Sequence, residues 1–157
     1  MMNNSASKPN PETFNALVAV ANIAAVNLMD VESSYDISSF DPNSELTIKI
    51  NIKLEHVAQQ DSGYNELDAI QGVFKYEVSC AFEDKKIAHF VARYATTYVV
   101  NATPNEDDVR HFMNRVGKHA AYPYFRALCA VMGEQAGVPL PPLPVISDQP
   151  QKIIRQA

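Results

Sequence analysis

Leu46-Thr47-Ile48-Lys49-Ile50-Asn51-Ile52-Lys53-Leu54-Glu55 decides the fold. Apolar and polar residues alternate strictly, so one face of an extended strand is dry and the other wet. Phe74, Tyr76, Val78, Cys80 and Phe82 repeat the pattern against Lys75, Glu77, Ser79 and Ala81. Between the two runs, Gln59 to Gln71 reads as a polar connection containing Gly63. Glu83-Asp84-Lys85-Lys86 is a tight polar turn and predicts a hairpin into a third strand, about Ile87 to Asn101. On this strand Phe90, Tyr94 and Tyr98 share one face and Val91, Ala95 and Val99 the other. Two apolar faces imply that something covers the second as well.

Helix signals flank the strands. Asn10-Pro11-Glu12 combines an N-cap, proline at the first helical position and an acid in the first turn. Phe14, Leu17, Val18 and Ala21 carry that helix to about Asn22, and Ile23 to Val31 can read as a strand. Ser33 to Ser44 is a polar, turn-rich loop that still holds Tyr35, Ile37 and Phe40. Thr103-Pro104-Asn105-Glu106 reads as a capping box, followed by Val109, Phe112, Met113 and Val116 at helical spacing, with Gly117 as a stop. A final helix is predicted to start at Tyr122-Pro123 and to end at Gly137. It is apolar nearly all round, so it should lie between two surfaces: the sheet, and another subunit through Tyr124, Leu128 and Val131. Together these signals predict an α+β fold: an antiparallel sheet with two C-terminal helices on one face and an extra N-terminal helix. Residues 1–9 are expected to be disordered, 10–146 to form one domain, and 147–157 to be a flexible tail.

Composition narrows the function. The chain has 157 residues, a formal net charge of −5 and 46% hydrophobic residues, enough for one core. Its basic residues are scattered, which argues against nucleic acid as a partner. No apolar run is long enough to span a membrane. Met1 to Asn10 has no basic stretch leading into an apolar one, so the cytoplasm is the expected location. Cys80 and Cys129 lie in apolar patterns and read as buried free thiols. Phosphate-cradling glycine loops, paired metal-ligand histidines and nucleophile elbows are all missing from the sequence. No catalytic residue, metal ligand or cofactor is therefore assigned. What remains unexplained is apolar: Tyr35 and Phe40 in a loop, and Pro139, Leu140 and Leu143 in the proline-rich run Gly137 to Val145. These either cover the sheet of a monomer or wall a groove for apolar polypeptide.

Several of these segments resemble the SecB protein-export chaperones. Tyr122-Pro123-Tyr124-Phe125-Arg126 is similar to their Phe-Pro-Tyr-Ala-Arg motif, and Gly137-Val138-Pro139 through Val145 to their Gly-x-Pro-x-x-x-Leu-x-Pro-Val segment. Tyr76-Glu77-Val78 resembles their Tyr-Glu-Val strand; Ala88-His89-Phe90-Val91 and Tyr98-Val99-Val100 take the place of their long strand before the helices. The resemblance spans about residues 25–146. It implies a four-stranded antiparallel sheet with two helices, a homotetramer built as a dimer of dimers, and ATP-independent holding of unfolded polypeptide clients. It assigns Tyr35, Phe40, Pro139, Leu140 and Leu143 to the client groove by place and apolar character. Docking to the SecA motor, which the family achieves with acids on the outer sheet face, would fall to Asp30 and Glu32. The third predicted strand carries Ala92 or Arg93 where an acid is expected, and the tail is not acidic. A diverged chaperone for a dedicated client such as an antitoxin, or a small-ligand-binding domain with a pocket under Phe40 and Leu140, are the other readings.

Overall fold

The computed structural model describes residues 10–41, 43–64, 67–146 and 152–155. Helix α1 (Pro11–Val20) leads into strand β1 (Asn22–Tyr35), a 3-10 turn (Ile37–Ser39), and strands β2 (Leu46–Tyr64), β3 (Leu67–Phe82) and β4 (Lys85–Val100). Helix α2 (Glu106–Phe112), a π-helical segment (Met113–Gly117) and helix α3 (Lys118–Gln135) follow; a short β5 (Lys152–Arg155) closes the order. The sheet runs β1-β4-β3-β2-β5, with every pairing antiparallel. The four long strands and the helices match the expected α+β architecture.

The β3–β4 hairpin turns where the sequence predicts. Glu83 and Asp84 both take positive φ, 45° and 63°. That is the conformation of a two-residue turn whose twist suits the flanking strands. The β2–β3 hairpin is longer than expected. Gln59 to Gln71 is not a loop: Gln59 pairs opposite Ile70, Gln60 opposite Ala69, and backbone pairing reaches Tyr64 opposite Leu67. Backbone ladder bonds hold that end together and do not need an alternating apolar face. The register also slips between Leu54 and His56, which turns Val57 back toward the helices.

At the N-terminus, Asn10 caps α1 as predicted, its side chain accepting from Glu12 N–H at 3.0 Å. The helix lies on α2. Leu17 is buried, the Phe14 ring meets His111 edge-on at 4.8 Å, and the Thr13 hydroxyl donates to Asp108 at 3.2 Å. Helix α2 is capped by Asn105 and not by Thr103. The Asn105 side-chain Oδ1 accepts from Asp108 N–H at 2.8 Å, while its Nδ2 donates back to the Asp108 carboxylate at 2.9 Å. Asparagine two residues on offers both a donor and an acceptor, and Pro104 stays outside the helix.

Gly117 and Pro123 do not bound helices either. Gly117 keeps helical angles, φ −57° and ψ −38°, and α2 runs through the π-helical segment into α3. Glycine is needed there for space: a Cβ would stand 2.7 Å from Met113 Sδ. Pro123 lies inside α3. An interior proline costs about 3 kcal/mol and withholds an N–H from the turn before it. Here the burial of Tyr122 and Phe125 on either side of the proline offsets that cost, and at the start of α3 the Lys118 carbonyl accepts from the Tyr76 hydroxyl at 2.6 Å.

The core lies between the helices and the sheet face that carries Phe74, Tyr76, Phe90, Tyr94 and Tyr98. Tyr76 is its hub, with ring centroids of Phe125 at 5.3 Å, Tyr94 at 5.8 Å and Tyr122 at 6.3 Å. The opposite face of β4 is closed by its in-plane neighbours. Val91 sits between Glu77 and Glu32, and Ala95 between Val73 and Asn27. No second layer of described residues is needed to bury them, contrary to the expectation.

The tail is the last correction. Lys152–Arg155 is not loose: its backbone pairs with Lys49 to Leu46 along the outer edge of β2. An open strand edge carries a row of unpaired N–H and C=O groups, which draws in any extended segment within reach. The expectations for residues 1–9 and for 147–151 and 156–157 lie outside the described residues.

Candidate functional site

Two apolar surfaces flank α3. The first is an open groove of about 400 Å³ between α3 and the β1–β4 edge, lined by Val26, Leu28, Tyr94, Tyr124, Leu128 and Val131. Tyr124 is 59% exposed and Val131 52%, although both lie on a long helix that covers the core. All three residues assigned to a subunit contact thus come together in one groove. Strand β1 adds to it. It pairs with β4 alone, its far edge is open among the described residues, and Ile23, Leu28 and Met29 along it are exposed. Sequence reading missed this contribution of β1, because Asn27 and Asp30 break its alternation.

The second surface carries the residues assigned to client binding. Helix α3 ends in a Schellman motif: Gly137 takes φ +72°, its N–H donates to Glu134 C=O at 3.1 Å, and Val138 N–H donates to Gly133 C=O at 2.9 Å. The chain then folds back over α3. Val138 and Leu143 are buried, Leu140 is half-buried against Gly133, and Pro139 stays exposed. The Tyr122 hydroxyl donates to Pro144 C=O at 2.7 Å and holds the far end of the run. The loop after β1 meets this segment, since a Cβ on Gly137 would stand 3.8 Å from Ile37 Cδ1. Tyr35, expected from the sequence to lie in that loop, instead ends β1 opposite Ala88; it and Phe40 are half-buried and pack on the core, and the Tyr35 ring meets Phe90 edge-on at 5.1 Å. The Tyr35 hydroxyl is buried and meets no hydrogen-bond partner among the described residues. Of the five groove residues, then, four pack inward and only Pro139 faces solvent.

The loop itself is pinned by charge. Asp36 accepts from the Ser38 and Ser39 hydroxyls, which hold its carboxyl down to about 2, and forms an ion pair with Lys85 at 3.3 Å. Asp36 N–H also donates to Ile87 C=O at 2.8 Å.

On the outer sheet face, Asp30 is engaged. Arg93 spans from Asp30 at 3.0 Å to Glu55 at 2.9 Å, tying β1 through β4 toward β2. Glu32 lies opposite Val91 and is exposed. Beside them His89 bonds Glu77 at 2.7 Å, and that contact lowers the Glu77 pKa.

Both cysteines are free and buried, and burial pushes both thiols up to about 12. Since the thiolate is the reactive species, almost none is present at neutral pH. A thiol reagent such as 5,5′-dithiobis(2-nitrobenzoate) is expected to label neither cysteine in the native protein within minutes at pH 8, and both at once in 6 M guanidinium. Rapid native labelling of either would contradict the burial. Among the described residues no group of three His, Cys, Asp or Glu side chains could hold a metal ion, and no helix is long and apolar enough to cross a membrane.

No family model matches the sequence, and no curated protein is significantly similar to it. Among solved structures, the chain is similar to the Rv1957 SecB-like chaperone of Mycobacterium tuberculosis, determined in complex with a ChAD peptide from the Rv1956 HigA1 antitoxin. The TM-score is 0.71 at 16% sequence identity, over 88% of this chain and 99% of that one. At such low identity the match speaks for the backbone: this chain has the fold of the SecB-like chaperones.

Proposed function

We propose that the protein is an ATP-independent chaperone that holds unfolded polypeptide segments on apolar surface. The observation that carries this reading is the concentration of exposed apolar side chains on β1 and α3 in a chain of this fold. A soluble monomer seldom leaves such a strip open, and each Leu- or Phe-sized group buried there gives about 1.5–3 kcal/mol. In this reading the Tyr124, Leu128 and Val131 groove joins subunits into a homotetramer, a dimer of dimers. Tyr35, Phe40, Pro139, Leu140 and Leu143 form the client-binding rim, and the protein works in the cytoplasm.

A dedicated client is the second reading, and two observations favour it. The similar M. tuberculosis chaperone was solved with an antitoxin peptide. In addition, Asp30 is occupied by Arg93, which leaves the outer face poorly suited to SecA.

The expected result in solution is a light-scattering mass near four times the 17.4 kDa chain mass. Near-stoichiometric protein should also suppress aggregation of a denatured model enzyme without nucleotide. A monomer that leaves aggregation unchanged would sink the proposal. Suppression confined to one co-purifying partner would select the dedicated reading.

A further inference from the structure

The C-terminal segment behaves, in its contacts, like a bound extended polypeptide. From Val138 to Ile146 it has no helix or strand. Its four prolines, Pro139, Pro141, Pro142 and Pro144, have no N–H to donate. Apolar plugs hold it instead: Val138 is 0% exposed and Leu143 3%, with Leu140 half-buried between them. One side-chain hydrogen bond, from the Tyr122 hydroxyl to Pro144 C=O, secures its end. Further on, Lys152–Arg155 adds to the β2 edge by backbone pairing over Leu46–Lys49. When an extended peptide adds to a sheet edge, main-chain pairing gives affinity and pockets for its side chains give selectivity. Both places are filled here by the chain itself.

We propose that Val138–Ile146 and strand β5 occupy the client surface in cis, and that an extended apolar polypeptide binds by displacing them. This rests on the chaperone reading and divides its rim: Tyr35 and Phe40 remain as wall, while Pro139, Leu140 and Leu143 are the occupants that a client displaces. Gly137, whose positive φ marks the end of α3, is the point about which the segment would swing. The client that fits carries a Leu-sized residue for the Leu143 pocket and has free backbone N–H groups for the β2 edge.

The test uses the full chain and a fluorescein-labelled unstructured peptide with alternating leucine and polar residues. Leu143→Ala weakens the plug, and Ile154→Pro weakens the β2 pairing. Each variant is expected to bind the peptide at least about tenfold more tightly than the parent, the scale of one buried leucine. Equal or weaker binding by both variants, with the parent binding measurably, overturns the cis-occupant idea and leaves the chaperone reading standing. No binding by any of the three overturns both. Hydrogen exchange on the parent gives an independent readout should a variant fold poorly. Added peptide is expected to speed exchange at Val138 and along Lys152–Arg155. Unchanged or slower exchange there overturns the proposal.

Discussion

Tyr76→Ala is expected to lower the unfolding free energy by about 3–5 kcal/mol, the range for removing a large aromatic side chain from a packed core. Tyr76 is fully buried at the meeting point of β3, β4 and α3, against Phe74, Tyr94, Tyr122 and Phe125. Alanine there would leave a void walled by four rings, and the Lys118 carbonyl would lose the Tyr76 hydroxyl as a donor. Tyr76→Phe separates the two effects: it keeps the packing and removes only the hydroxyl, at a cost of about 1 kcal/mol for the lost hydrogen bond. Urea denaturation at several protein concentrations measures both, since subunit association would add its own concentration dependence. A loss below about 1 kcal/mol for the alanine variant would mean that the core does not hinge on this ring.

The second large effect runs against intuition. Gly133→Ala places a better helix former in α3, which alone would add about 0.5–1 kcal/mol. A Cβ at 133, however, would stand 2.8 Å from the Val138 carbonyl oxygen, a backbone atom that no side-chain rotation can move. Val138 is also tied to Gly133 by the 2.9 Å Schellman bond. The expected result is a net destabilisation of about 1–3 kcal/mol from overpacking. The Val138 amide, protected in the parent, should then exchange freely. A stabilised variant with Val138 still protected would show that the turn after α3 absorbs a methyl group without shifting.

Much of the fold is legible in the sequence where one face of an element is dry. Leu46 to Leu54 and Phe74 to Phe82 alternate because the helices cover one side of them, and helix ends are announced by the capping side chain of Asn10 and the positive φ of Gly137. Legibility fails where structure rests on something other than a dry face. The end of the β2–β3 hairpin is held by backbone pairing, β1 has apolar groups exposed on an open edge, and β5 is fixed by the β2 edge. Gly117 and Pro123 mislead because each ordinarily bounds a helix. Here Gly117 yields to contacts from Met113 and Phe74, and Pro123 to the burial of its neighbours Tyr122 and Phe125, all set by packing. For the candidate site, the sequence selects apolar groups without polar company. It cannot tell that Leu143 is folded inward while Tyr124 and Val131 stand open, because all three are simply apolar in the pattern.

The strand order has a consequence for biosynthesis. Strand β1 leaves the ribosome before the rest of the sheet, yet it pairs only with β4: Asn22 opposite Val99 and Leu28 opposite Tyr94. The β2-β3-β4 meander can form from neighbouring segments as they emerge, whereas β1 waits for the last of them. At about 5–20 residues per second, roughly 4–15 s pass between translation of Asn22 and of Val99. Throughout that interval Leu28 and Met29 belong to an unpaired nascent strand, the kind of segment that aggregates or recruits a helper.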